Sequence, residues 1–111
     1  MPDQSTFERS IDDIVVKLVH DYHPEKIILY GSCARSTMHA DSDIDMLIIK
    51  NTNKERHIDR WLEVRRLTRD SNRGISFEPL ILTPSELQKR VEMGDAFMQT
   101  IVREGKILYE R

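Results

Sequence analysis

Cysteine is almost absent from this sequence, since Cys33 is the only one in 111 residues. A single cysteine cannot close a disulfide within the chain, which favours a reducing, cytoplasmic compartment. No apolar run approaches the roughly 20 residues that a membrane helix needs, and the polar, acidic N-terminus does not resemble a signal peptide. The sequence therefore predicts a cytoplasmic protein with no membrane partner.

The chain also has little excess of either charge sign and few aromatic side chains. The formal net charge is -2, and aromatic residues make up 6% of the chain. Nucleic-acid-binding domains rely on excess positive charge and stacked aromatic rings, so direct nucleic-acid binding is not expected. The 39% of hydrophobic and 32% of charged residues are typical of a globular protein. We expect a single domain that spans residues 1–111.

Hydrophobic spacing divides the chain into helices and strands. A capping box from Ser5 to Glu8 predicts the start of a first helix, which ends near His23. Apolar residues at helical spacing predict further helices over residues 54–70, 84–93 and 95–103, the second of these beginning with a capping box at Thr83. Apolar runs bounded by turn residues predict strands over residues 26–30, 43–50, 75–82 and 106–109. This order predicts an α/β or α+β domain with two layers.

The helix expected over residues 54–70 has an apolar side and many arginines. Its expected core side consists of Ile58, Trp61, Leu62 and Leu67. Its basic and acidic residues alternate. Two interpretations stay open: a solvated helix with local ion pairs, or a surface that meets an acidic or RNA-linked partner.

The most informative stretch is residues 31–45, which joins two apolar runs that are expected to be strands. At its start, Gly31 lets the backbone approach a ligand closely, and Ser32 can cap a short helix whose free N–H groups attract phosphate. At its end, Asp43 and Asp45 are two residues apart on a strand, so both side chains point to one face. Neighbouring carboxylates repel each other, and a divalent cation such as Mg²⁺ relieves the repulsion. A phosphate-binding turn beside a magnesium-binding pair indicates nucleoside triphosphate chemistry.

These residues resemble the signature of the polymerase-β-like nucleotidyltransferases, which is Gly-Ser, ten residues, then Asp-x-Asp. Because the chain is small, it looks like the minimal nucleotidyltransferases of that superfamily, many of which are antitoxins of HEPN-domain toxins. The resemblance covers about fifteen residues and the strands on either side. It implies a small mixed sheet flanked by helices, with antiparallel neighbours at the strands that carry the site.

The resemblance also implies how ATP is held. Gly31 and Ser32 would bind the β- and γ-phosphates through backbone N–H groups and the serine hydroxyl. Arg35 would reach a phosphate or the partner; the alternatives are a surface arginine and an ion pair with Asp41. Ser36 stands where family members often have glycine, and serine fits that position only at an ordinary helical φ.

Three carboxylates are expected to be catalytic and to bind the metal ion. Asp43 and Asp45 form the pair, and family members carry a third carboxylate on the strand after the long helix, which is Glu78 here. Glu78 would share a second metal or act as general base toward the attacking hydroxyl. Because Pro79 cannot donate a hydrogen bond to a neighbouring strand, this strand is expected at a sheet edge or a bulge. The alternative role for Glu78 is a charge that protects the edge from pairing.

The function implied by the resemblance is magnesium-dependent transfer of AMP from ATP to a tyrosine hydroxyl of a HEPN ribonuclease toxin. The chain would then be the antitoxin, and the toxin its partner. Two alternatives stay open. The chain could neutralise its partner by binding alone, with a degenerate site, or it could be a stand-alone transferase to a small hydroxylated molecule.

The remaining reactive side chains are expected to be non-catalytic. Cys33 lies at the start of the expected short helix, which would lower its pKa, yet it is expected to fill space rather than attack a substrate. His20, His23 and His57 lack the spacing of metal ligands. His39 lies in the loop before the aspartates, where it could contact a ligand, and all four histidines are expected to be non-catalytic.

Overall fold

The computed structural model of the chain describes residues 3–39 and 41–111. Its helices are α1 (Gln4–Asp21), α2 (His57–Leu67), α3 (Pro84–Glu92) and α4 (Ala96–Glu104). Its strands are β1 (Lys26–Tyr30), β2 (Ile44–Ile49), β3 (Phe77–Leu82) and β4 (Lys106–Glu110). None of the helices in the described residues is long and apolar enough to cross a bilayer.

The strands form one mixed sheet in the order β3-β2-β1-β4. β1 pairs antiparallel with β2 and β4, whereas β2 pairs parallel with β3. The predicted mixed α/β fold with a small sheet flanked by helices is thus confirmed. The expected antiparallel pairing holds between β1 and β2 but is wrong between β2 and β3. β3 is an edge strand, as Pro79 predicted.

Helices cover both faces of the sheet, so the expected two layers are wrong. Successive residues of a strand point to opposite faces. On β2, Met46 and Ile48 pack with α1 and α2, whereas Leu47 and Ile49 pack with α3 and α4. The first face, which we call the closed face, has the larger core. The second, which we call the open face, is covered by α3 and α4 over only part of its length.

Caps fix the helix ends. The first helix begins after Asp3, whose carboxylate accepts a hydrogen bond from Thr6 N at 2.8 Å. The predicted Ser5 cap is therefore wrong, because an equally good capping residue lies two positions earlier. The capping box at Thr83 is confirmed: Thr83 and Glu86 exchange side-chain-to-backbone hydrogen bonds at the start of α3.

The buried side of α2 differs from the predicted one. Ile58 and Leu62 are 49% and 43% exposed, while Arg60 is only 3% exposed. The Arg60 guanidinium binds the Glu86 carboxylate of α3 at 2.7 Å and also donates to backbone carbonyls. This ion pair holds the pKa of Glu86 at about 2, chiefly through the hydrogen bond from Arg60. A charged side chain, paired within the fold, therefore lies where an apolar one was expected.

Candidate active site

A row of three side chains crosses the sheet where β1 ends and β2 begins. Tyr30 of β1 is the register partner of Asp45 of β2, and Asp45 is the partner of Glu78 of β3. Partners on adjacent strands, about 4.8 Å apart, project from the same face. Asp43 precedes β2 by one residue and lies close enough to Asp45 to raise its pKa. The sheet therefore brings the three predicted carboxylates to one end of the open face.

The electrostatics show that negative charge is concentrated there. Burial raises the pKa of Asp45 from 3.8 to about 6, with further contributions from Asp43 and Glu78. Burial raises the pKa of Tyr30 to about 12, and the negative charges of Asp45 and Glu78 contribute to this rise. Among the residues that the structure describes, no basic side chain compensates Asp45 in the way that Arg60 compensates Glu86. A bound cation would supply the missing positive charge.

Gly31 provides the space that the Asp45 carboxylate occupies. Its φ is +77°, in the left-handed region, and a Cβ there would lie 2.7 Å from Asp45 Oδ2. Any larger residue would have to displace that carboxylate. Gly31 thus has a role beyond the expected approach to a ligand: it leaves the Asp45 carboxylate room to occupy its position.

The residues after Gly31 form a turn and not the predicted short helix. Arg35 N donates to Gly31 O at 3.3 Å, and Thr37 N donates to Ser32 O at 3.0 Å. Ser36 has a φ of +57°, which prevents the turn from continuing as a helix. Ser32 therefore caps no helix.

Free donors remain within this turn. The N–H groups of Ser32, Cys33 and Ala34 donate to no acceptor among the described residues. Successive unpaired N–H groups in a turn form an anion-binding concavity. The predicted phosphate-binding role is thus chemically feasible here without a helix N-terminus.

The expected lowering of the Cys33 pKa is wrong. The thiol is buried, and its Sγ donates to the carbonyl of Asp43 at 3.5 Å. Burial raises its pKa, and the nearby Asp45 raises it further. The prediction depended on a helix N-terminus that the turn does not provide.

Asp43 and Asp45 are the two carboxylates that would hold a magnesium ion. Within the described parts of the chain, no group of three Asp, Glu, His or Cys side chains is arranged to hold a metal ion. Glu78 is exposed on the edge strand, where Ser76 Oγ donates to its Oε1 at 3.4 Å. Mg²⁺ commonly uses one or two carboxylates together with waters and substrate phosphate oxygens. The Asp43 and Asp45 pair beside the turn suits that coordination.

A cavity of about 610 Å³ adjoins the carboxylates on the β1 side. Gly31, Arg35 and Asp45 line one wall, and residues of α4 line the other. No ion pair joins Arg35 to Asp41 in the described part of the chain, where Arg35 is exposed. Arg35 therefore faces the space where a ligand would lie.

The α4 wall was missed by the sequence analysis, which grouped Phe97 with Ile101 and Val102 as the apolar residues of the helix over residues 95–103 and gave no role to Thr100 or Glu104. Phe97 is 54% exposed, while Met98 and Ile101 of the same helix are buried. The three-residue spacing from Met98 to Ile101 identifies the buried side, and it leaves Phe97 beside it. That spacing could have separated Phe97 from the core.

Comparison with known proteins decides the family. The sequence profile described as Polymerase beta, Nucleotidyltransferase matches residues 12–111 of this chain. The chain belongs to this nucleotidyltransferase family. Its carboxylate row and glycine turn are accordingly the candidate active site of a nucleotidyltransferase.

Two known proteins are similar to this chain, one in sequence and one in fold. This nucleotidyltransferase is 27% identical, over 113 aligned positions, to a protein of Methanocaldococcus jannaschii named "Putative protein adenylyltransferase"; the alignment covers 98% of this chain and 76% of the relative. Its fold is similar to the crystal structure of "a putative nucleotidyltransferase" from Sulfolobus solfataricus, with a TM-score of 0.60 and 20% identity. That superposition covers 100% of this chain and 91% of the other.

Proposed function

We propose that this nucleotidyltransferase binds ATP with Mg²⁺ and transfers AMP to a tyrosine hydroxyl of a HEPN-domain ribonuclease toxin, and so acts as its antitoxin. The observation that carries the proposal is the position of Asp43 and Asp45 beside a turn with free N–H groups. Adenylylation of a protein is supported by the name of the relative from M. jannaschii. The HEPN partner rests on the resemblance to minimal nucleotidyltransferases.

Each residue of the site has a defined task in this reaction. Asp43 and Asp45 would hold Mg²⁺, which neutralises charge on the transferred and leaving phosphates when bound. The turn, with the Ser32 hydroxyl, binds the β- and γ-phosphates. The acceptor hydroxyl attacks the α-phosphorus, its oxygen forms the new P–O bond, and pyrophosphate leaves. Glu78 accepts the proton of the hydroxyl.

In this proposal, the partner would dock at the edge of the sheet formed by β3. Ile58 and Trp61 of α2 border an apolar depression with Pro79 and Leu80 of β3. This surface directly follows Glu78 along β3. A protein seated there would bring a hydroxyl close to the proposed general base.

The test is transfer of radiolabel from α-labelled ATP, in the presence of Mg²⁺, to the product of the neighbouring gene. We expect labelled partner with the native chain, and a loss of at least about a hundredfold in an Asp43→Ala/Asp45→Ala variant. Asp41→Asn is the matched control, because Asp41 is an exposed acid two residues before Asp43 but is not among the carboxylates that act on Asp45. Labelling that survives the double substitution would contradict the assignment of the site.

Two other results would each select an alternative function. If no label appears and the partner is still neutralised, the chain is an antitoxin that acts by binding alone. If no label appears and the partner is unaffected, small hydroxylated molecules become the acceptors to examine with the same labelled ATP.

A further inference from the structure

The cavity beside the carboxylates, which we call the α4 cavity, has the size and position of a ligand site. It begins at Gly31 and Asp45 and extends to Phe97, Thr100 and Glu104 of α4. Its volume of about 610 Å³ lies within the range of roughly 300–1,000 Å³ that is common for small-molecule pockets. The same carboxylate therefore borders both the proposed metal site and this cavity.

Phe97 is the unusual side chain of the α4 cavity. The other two phenylalanines, Phe7 and Phe77, are each 1% exposed, whereas Phe97 is 54% exposed. The Phe97 ring packs edge-to-face with Tyr30, with centroids 5.7 Å apart and planes at 82°. This contact holds the ring at the cavity but leaves much of its surface without a partner. An exposed, oriented aromatic ring is well suited to stack on a planar ligand.

The wall that carries Phe97 is fixed to the sheet. Met98 and Ile101 are buried against the open face with exposures of 0% and 2%. At the end of α4, a Cβ on Gly105 would collide with Ile28 of β1, so helix and strand are in close contact. The α4 cavity is therefore a preformed feature of the fold.

The polar groups of the α4 cavity match a nucleoside. Thr100 and Glu104 offer a hydroxyl and a carboxylate, which accept hydrogen bonds from ribose hydroxyls or a base amino group. Ala34, whose N–H group is one of the free donors of the turn, also lines the cavity. A ligand with its phosphates at the turn would thus extend into this space.

The order of the strands in the sheet argues against an acceptor side chain as the ligand of the α4 cavity. The α4 cavity lies on the β1 side of Asp45, whereas Glu78 lies on the β3 side. An acceptor hydroxyl must reach Glu78, at the opposite side of the central carboxylate. The two substrates can then approach the metal site from different directions.

We propose that the α4 cavity receives the base and ribose of the nucleoside triphosphate, with the Phe97 ring as the stacking surface. This inference rests on the proposed nucleotidyltransferase function and adds the part of the site that recognises the nucleoside. Phe97 then contributes to affinity for the nucleotide and not to the chemistry of transfer.

The test compares ATP with tripolyphosphate, which has the phosphates but no nucleoside, by titration calorimetry in the presence of Mg²⁺. We expect Phe97→Ala to weaken ATP binding about tenfold, the loss of one stacking contact, and to leave tripolyphosphate binding unchanged. Phe97→Trp should retain ATP binding. Val102→Ala is the matched control, because Val102 is a 49% exposed apolar residue of α4 that does not line the cavity.

A second variant tests the same inference without removing the Phe97 ring. Thr100 is exposed on α4, so Thr100→Trp should fill the cavity without disturbing the core, with Val102→Trp as control. We expect Thr100→Trp to weaken ATP but not tripolyphosphate.

Three results would overturn the proposal: unchanged ATP binding in both cavity variants, an equal loss of both ligands, or slower transfer at saturating ATP with unchanged ATP affinity. The last would assign the cavity to the acceptor. Tripolyphosphate binding that still depends on Asp45 would leave the proposed function intact in each case.

Discussion

Helices cover the closed face of the sheet more completely than the open face. On the closed face, α1 alone buries Phe7, Ile11, Ile14 and Leu18. On the open face, α3 has no buried residue and α4 has two, Met98 and Ile101. The open face ends in carboxylates, and the closed face does not. Stability thus comes mainly from one side of the sheet, which leaves the other side free to expose a polar site.

The charged pair between α2 and α3 also differs from the carboxylates at the end of the open face. Arg60 and Glu86 neutralise each other between α2 and α3, and the pKa of Glu86 falls to about 2. Asp45 lies among other carboxylates, and its pKa rises to about 6. Paired charges are typical of structural positions, while an uncompensated, perturbed carboxylate is typical of a functional one. This difference supports the site independently of the sequence motif.

The largest effect on stability is expected on the closed face. Ile14 is fully buried, so Ile14→Ala should lower the free energy of unfolding by about 2–5 kcal/mol, measured by urea denaturation. Val16→Ala, on the same helix but 67% exposed, should change it by less than about 0.5 kcal/mol. Similar costs for both substitutions would mean that the closed face does not supply the main core.

Gly31→Ala should damage stability and the site together. It places a side chain at a φ of +77° and in contact with Asp45 Oδ2. The matched control is Gly74→Ala, since Gly74 has a φ of +78° but open space around it. Gly74→Ala should cost about 1 kcal/mol, from backbone strain alone, and Gly31→Ala about 1–2 kcal/mol more.

The extra cost can be traced to Asp45 by a double-mutant cycle. In an Asp45→Ala background, Gly31→Ala should cost no more than Gly74→Ala does, because the carboxylate is gone. Equal costs of the two glycine substitutions in the native background would show that Gly31 does not constrain Asp45.

Asp45 should make stability depend on pH in the direction opposite to that of a paired carboxylate. Its folded pKa of about 6 exceeds the ordinary value of 3.8, so the folded state binds more protons between these values. The stabilisation is fully present below about pH 4 and is lost as the pH rises through 6. With EDTA present, Asp45→Asn should therefore be more stable than the native chain at pH 7, by about 1–2 kcal/mol after allowance for solvent screening.

Urea denaturation of both proteins from pH 4 to pH 8 measures this difference. It should disappear near pH 4, and Mg²⁺ at pH 7 should stabilise the native chain but not the variant. A difference that does not change with pH would mean that the effect of Asp45 is not electrostatic.

The parts of the fold that could be predicted from sequence are those encoded locally. The strand Lys26–Tyr30 was predicted with its observed bounds, because an apolar run is bounded by turn residues. The capping box at Thr83 needs only residues three positions apart. The spacing of Asp43 and Asp45 is also local, whereas the position of Glu78 beside Asp45 depends on the parallel register of β2 with β3, which was not predicted. Their roles in catalysis stay predictions.

The parts that were predicted wrongly depend on distant contacts. Arg60 is buried because Glu86, 26 residues away, neutralises it, and this turns α2 so that Ile58 and Leu62 face outward. The expected short helix after Gly31 ends as a turn at the left-handed Ser36. Phe97 lies outside the core because α4 uses Met98 and Ile101 to pack on the sheet. The burial of Arg60 is not contained in local spacing, because its partner Glu86 is distant in sequence, whereas the spacing of Met98 and Ile101 could have separated Phe97 from the core.

Ser36 gives the smallest expected effect, and it bears on whether the turn keeps its shape without glycine. Its φ of +57° is one that glycine adopts freely and serine does not. Ser36→Gly should therefore stabilise the protein by about 0.5–1 kcal/mol in urea denaturation, or less where the greater freedom of the unfolded chain offsets the gain. Ser36→Ala is the control: it removes the hydroxyl but keeps the Cβ, so it should give no gain.

If Ser36→Gly also leaves ATP affinity unchanged, the phosphate-binding turn is already formed with serine, and an inactive site would need another cause. If it raises ATP affinity, strain at Ser36 limits the turn, which would favour an antitoxin that acts mainly by binding.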